Sequence, residues 1–234
     1  MKEKVTPKEL YLGYIVVVSI PIIPYVLLFF GHLFSLHRRE KRCKEESSHA
    51  PAILLATNTP EAEAFLRNLP EGWQVETVTL MDEPLLPLME GGFRQRDELL
   101  QRGDFTHRRF DYAWQFQKAD AILIAAPFYD LSIPALLKVY IENVSVDGIT
   151  FECDAQGLRG ACRAQSMTFL TSRGGFYDDS PDEMGSRYME ALCRFFGTGV
   201  YRCVAADGVD MDPAQTPAIL AEACERAAKA AREL

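Results

Sequence analysis

One stretch constrains this chain more than any other. Ala121, Ile122, Leu123, Ile124, Ala125 and Ala126 form a continuous apolar run, broken by Pro127 and a polar-aromatic loop. A run of that length without alternation fits a central strand buried on both faces. After Ser132, Pro134 opens an amphipathic stretch that the pattern reads as a helix to about residue 145, since proline suits the first helical turn. Strand, short loop and helix in that order place the loop at the carboxyl end of a strand, where open α/β sheets bind ligands.

The rest of residues 52–234 repeats the alternation. Strands are expected at 52–56, 74–80, 166–171 and 200–206. Helices are expected at about 59–68, 105–118, 184–196 and 213–234, with residues 81–104 irregular and 154–160 a turn region. Such an alternation means a parallel sheet with helices on both faces. Five strands fit the flavodoxin-like doubly wound order 2-1-3-4-5.

Residues 10–36 contain no Lys, Arg, Asp or Glu. As a helix rising about 1.5 Å per residue they exceed a hydrocarbon core of about 30 Å. Tyr11, Tyr14 and Phe34 lie towards the ends, as an aromatic belt does. A cleaved signal has a shorter apolar core followed by small residues, whereas Arg38, Arg39, Lys41, Arg42 and Lys44 follow here. They outnumber Lys2, Lys4 and Lys8 on the other flank. The expectation is a retained single-pass anchor in the cell membrane, with a flank at 1–9, a basic and polar linker at 37–51, and the body facing the cytoplasm.

The chain carries a net charge of −8. After residue 50 it holds 17 basic against 28 acidic residues, a net of −11. An acidic body argues against nucleic acid as a partner. The six cysteines include no C-x-x-C pair, and with four scattered histidines no metal site is expected. Reduced thiols packed as small apolar groups fit a cytosolic body better than a disulfide framework does.

Three strand ends can face one crevice: Thr57, Asn58 and Thr59; Pro127, Phe128, Tyr129, Asp130 and Leu131; and Ser172, Arg173, Gly174 and Gly175 after Thr171. Their residue types suit a flat aromatic ligand with a phosphate tail. Phe128 and Tyr129 offer apolar walls, and the glycines permit close backbone approach. Thr59 stands at a helix N-terminus, which favours anions. Asp130 has three open roles: helix cap, backbone acceptor or ligand contact. Asp147, His107 and Tyr177 are candidate pocket residues that read first as surface residues.

Residues 125–140, with Gly148, Ile149, Thr150 and Phe151 following and the 171–175 loop later, resemble the FMN-dependent NADH:quinone oxidoreductase and azoreductase family. The resemblance covers roughly 52–234 and is strongest over 119–175. It implies a flavodoxin-like fold, noncovalently held FMN and a homodimer with each flavin near the interface. It also implies that the loops at 128–131 and 172–175 touch the isoalloxazine. The reaction implied is ping-pong, with NAD(P)H reducing the flavin before a quinone or azo compound takes two electrons. No catalytic side chain is expected, because the flavin carries the chemistry. The chain departs from the family at its phosphate loop, which is shortened, contains Pro60 and is followed at once by Glu61 and Glu63. That departure leaves two other readings open: a membrane-tethered interaction module with weakened or lost FMN binding, or an electron carrier.

Overall fold

The computed structural model describes residues 52–55 and 59–234. The expected span at 10–36 and linker at 37–51 lie outside the described residues, as do Thr57 and Asn58. Among the described residues no helix is long and apolar enough to cross a membrane.

Five parallel strands form the sheet, in spatial order β2-β1-β3-β6-β7. They are β1 (Ala52–Leu55), β2 (Gln74–Thr77), β3 (Ala121–Ala125), β6 (Ser166–Arg173) and β7 (Val200–Asp207). A separate antiparallel hairpin joins β4 (Phe151–Asp154) to β5 (Gly157–Gly160).

The apolar run sits at the sheet's centre, every residue of β3 being at most 3% exposed. Its side chains alternate between two cores, as a pleated strand requires. Ile122 and Ile124 join Phe116, Tyr140, Phe169 and Phe196 on one face. There the covering helices are α3 (Asp111–Lys118), α4 (Ala135–Val144) and α5 (Gly185–Phe196). Ala121, Leu123 and Ala125 join Phe65 and the alanines of the last helix on the other face. Here the cover is α1 (Pro60–Arg67) and α6 (Thr216–Arg232). Ala223, Ala227 and Ala231 are fully buried, and these small side chains let α1 lie close. Arg232 Nη1 donates to Asn68 Oδ1 at 2.6 Å, joining the ends of the first and last helices.

Three local expectations are corrected. Residues 81–104 are not wholly irregular, for α2 spans Glu90–Gln101. Glu90 and Arg94 pair along it at 2.6 Å, but only Leu99 is buried, so no apolar stripe announces it. Residues 154–160 are not simply a turn region: they supply the end of β4, its two-residue turn and β5. The helix expected from 105 is preceded by a single 3-10 turn, Arg108–Phe110, and α3 begins only at Asp111.

Gly160 and Gly197 explain how the hairpin attaches. A Cβ on Gly160 would fall 2.0 Å from the Gly197 nitrogen, so the two backbones touch. Gly197 terminates α5 in the left-handed region at φ +69, where glycine carries no Cβ penalty.

Candidate functional site

The site forms at the carboxyl ends of β3 and β6, where hydrogen bonding continues beyond the regular strand. Ala126 N donates to Leu170 O at 3.0 Å, and Phe128 N to Ser172 O at 3.0 Å. Phe128 is thereby fixed against β6. The chain then reverses through Asp130 (φ +48) and Leu131 (φ +67). Tyr129 and Ser132 exchange backbone hydrogen bonds of 2.9 and 2.8 Å. Two successive positive φ values are the mark of a type I′ turn, and a leucine held there costs about 1 kcal/mol. Leu131 O accepts from Met184 N at 2.9 Å, tying the turn to the start of α5.

This geometry closes one of the roles left open for Asp130. It does not cap α4, whose N-cap is Pro134. The exposed Tyr129, Asp130 and Leu131 form the tip of the loop, and Pro127 and Phe128 behind them are half-buried.

On the β6 side, Ser172 is half-buried and Arg173 is turned into the body, 3% exposed. Its guanidinium pairs with Glu183 at 3.2 Å, Asp207 at 3.1 Å and Asp178 at 3.3 Å. It also lies 5.7 Å from the centre of the Phe128 ring, within cation–π reach. Asp207 accepts in addition from the amides of Tyr177 and Asp178 at 3.1 and 3.0 Å. Glu183 accepts from Ser186 N at 2.8 Å and from the Ser186 hydroxyl, at the first turn of α5. Partial burial and the neighbouring Asp207 charge push the Asp178 carboxyl above its usual range, outweighing the pull of Arg173. Gly174 is pressed against Asp210, whose Oδ2 would lie 2.5 Å from an added Cβ. Gly175 O accepts from Gly208 N at 3.0 Å.

Tyr177, a candidate pocket residue that read first as surface, stands beside this loop: its ring centre is 4.7 Å from that of Phe128. Glu183 and Asp207 were missed altogether. Asp207, at the carboxyl end of the last strand and followed by Gly208, carried the one signal that could have marked it. Two other residues sit apart in local roles. His107 Nδ1 accepts from Arg109 N, and Asp147 Oδ1 accepts from Cys153 N.

At the third strand end, Thr59 is the N-cap of α1, its Oγ1 accepting from Ala62 N at 3.2 Å. Glu61 is 3% exposed and its Oε1 has no hydrogen-bond partner.

A family model described as "Flavodoxin-like fold" matches residues 56–231. The chain belongs to the flavodoxin-like fold family. One relative, from Clostridium perfringens, is named FMN-dependent NADH:quinone oxidoreductase. It is 42% identical over 122 residues, which are 52% of this chain and 62% of the relative's length. Among solved structures, the azoreductase AzrA superposes with a TM-score of 0.68 at 25% identity, covering 78% of this chain and 99% of its own. An azoreductase from Bacillus anthracis does so with a TM-score of 0.67 at 24% identity, covering 78% of this chain and 98% of its own.

Proposed function

We propose that this chain is an FMN-dependent oxidoreductase that moves electrons from NAD(P)H to quinones or azo compounds by a ping-pong cycle. The observation that carries the reading is the joining of the 126–131 and 172–177 loops at adjacent strand ends. They present aromatic and apolar surface, in a chain similar to a relative bearing that enzymatic name.

The ring half of a flavin fits this surface. Phe128 is held by its own amide and by Arg173, and Tyr129 and Leu131 project beside it as apolar cover. Pro127, Ser172, Gly174 and Gly175 supply the backbone frame, while Arg173 acts from beneath rather than by direct contact. Among the described residues no backbone bond uses the amides of Asp130 and Leu131, which leaves them for acceptors on a ring edge. Asp130, when ionised, accepts a hydrogen bond and does not donate one. A bound flavin would supply the hydride acceptance and two-electron transfer that no side chain here can perform. The protein's part is to fix the ring's orientation and exclude water from one face.

Two further parts belong to the same reading. Residues 10–36 anchor the chain in the membrane, keeping the body cytoplasmic and close to lipid-soluble quinones. A second copy of the chain packs against an apolar groove of about 410 Å³ between α2, α4 and α5, lined by Leu88, Phe93, Ile141, Leu192 and Phe195.

The test is spectroscopic. Full-length protein, purified in detergent and supplied with FMN, is expected to bind it and to bleach when NADH or NADPH is added without oxygen. A coloured protein indifferent to both nicotinamides is an electron carrier instead. One that takes up no flavin is an interaction module.

A further inference from the structure

The mouth of the crevice is apolar. Tyr129, Leu131, Phe176 and Met184 are exposed large side chains there. The bond from Met184 N to Leu131 O joins two of them, and Phe176 lies over Gly208, where a Cβ would meet its ring. Exposed apolar surface at the rim of a crevice marks a place for a flat apolar ligand.

Charge around that mouth is one-sided. The strand-end segments 127–134, 173–187 and 207–212 hold eight carboxylates, no Lys or His, and two arginines. Arg173 is 3% exposed and enclosed by Glu183, Asp207 and Asp178, so it offers nothing to an anion arriving from solvent. Arg187 donates to the carbonyls of Ser180 and Pro181 at 3.0 and 3.2 Å. Arg226 approaches from α6, where it donates to Ala205 O, lies 3.8 Å from Glu222 and bears on Asp178. Three carboxylates stand at the mouth itself. Asp130 is exposed in the turn between Tyr129 and Ser132. Asp210 is exposed and pressed against Gly174, whose carbonyl accepts from its amide at 3.1 Å. Asp179 is exposed, two residues beyond the tyrosine that packs on Phe128. Among the described residues none of these three pairs with a cation. Carboxylates in contact with water carry their charge at neutral pH, and a cleft lined by one sign of charge focuses its field on what enters.

We infer that the site takes flat electron acceptors that are neutral or positively charged and turns away those with a negative charge on the reacting ring system. The inference rests on the flavin reading above and narrows its substrate class. The nicotinamide donor escapes the same rule, because its charge lies on a diphosphate remote from the ring that gives up hydride. In the overall exchange the donor loses that hydride, solvent supplies a proton, and an azo acceptor gains two electrons and two protons to become the hydrazo compound.

The experiment uses three dyes on one azobenzene scaffold, bearing a trimethylammonium, a neutral sulfonamide or a sulfonate group. Full-length protein in nonionic detergent is loaded with FMN, its uptake is recorded by absorbance, and dye dissociation constants are measured by equilibrium dialysis against a protein-free detergent control. At about 0.05 M salt the sulfonate is expected to bind about tenfold more weakly than the sulfonamide, and the trimethylammonium dye about threefold more tightly. At about 0.5 M salt the sulfonate deficit is expected to shrink to about threefold. Asp179→Asn combined with Asp210→Asn is expected to narrow the sulfonamide-to-sulfonate ratio about threefold at low salt. Asparagine tolerates the left-handed backbone at residue 179 (φ +62), and flavin uptake at the wild-type level reports that the variant is folded. A sulfonate bound as tightly as the sulfonamide at low salt, a deficit that salt does not reduce, or a ratio unmoved in the variant overturns the inference and leaves the flavin reading standing. Failure to take up flavin overturns the two together.

Discussion

Arg173 shows how one side chain organises a site without lining it. Its guanidinium is enclosed by Glu183, Asp207 and Asp178 and backs the Phe128 ring. Removing one member of a buried ionic cluster strands the others. Arg173→Met is therefore expected to cost about 3–5 kcal/mol, read as a lower urea midpoint. Most of that comes from Glu183 and Asp207, because Asp178 is largely exposed and contributes little. The family resemblance implies a ring contact for Arg173, in a loop expected to begin after a strand ending at 171. Two more residues of strand keep the alternation going and turn Arg173 inward. Side-chain direction at a strand end depends on where pairing stops, and β7 decides that: Arg173 still pairs with Asp207.

At the level of elements, what was legible and what was not divides along burial. The apolar run of β3 and the strongly amphipathic α5 announce themselves, since each must bury a continuous face. The helix α2 and the β4–β5 hairpin do not. The helix owes its form to i,i+4 pairs and one buried leucine, and the hairpin is polar, with Glu152 and Arg159 paired at 2.6 Å across it. Such elements are set by tertiary context rather than by pattern. The hairpin's attachment is correspondingly sensitive. Because an added methyl at 160 meets backbone rather than a movable side chain, Gly160→Ala is expected to destabilise by about 3 kcal/mol, measured by thermal melting. Two of the three expected strand-end loops, at 127–131 and 172–175, were legible as neighbours. Their fine structure was not, since the turn at Asp130 and Leu131 uses residues that seldom take positive φ.

For the whole molecule, the parallel body and the proposed anchor make separate demands. An uncharged stretch of 27 residues followed by five cations predicts that alkaline carbonate leaves the full-length protein in the membrane pellet. Release into the supernatant would exclude a span at 10–36. The body has its own constraint, set by the contact between α1 and α6. Its first helix lies between β3 and its last helix: Phe65 meets Ala121, Leu123 and Ala125 on one side and the alanines around Ala227 on the other, with Arg232 closing onto Asn68. During synthesis, then, Ala62 and Phe65 can meet β3 after about 60 residues, but the helix that covers them from outside follows only about 160 residues later. This half of the core cannot be completed vectorially. The nascent body offers a half-covered apolar helix to chaperones until α6 has been made.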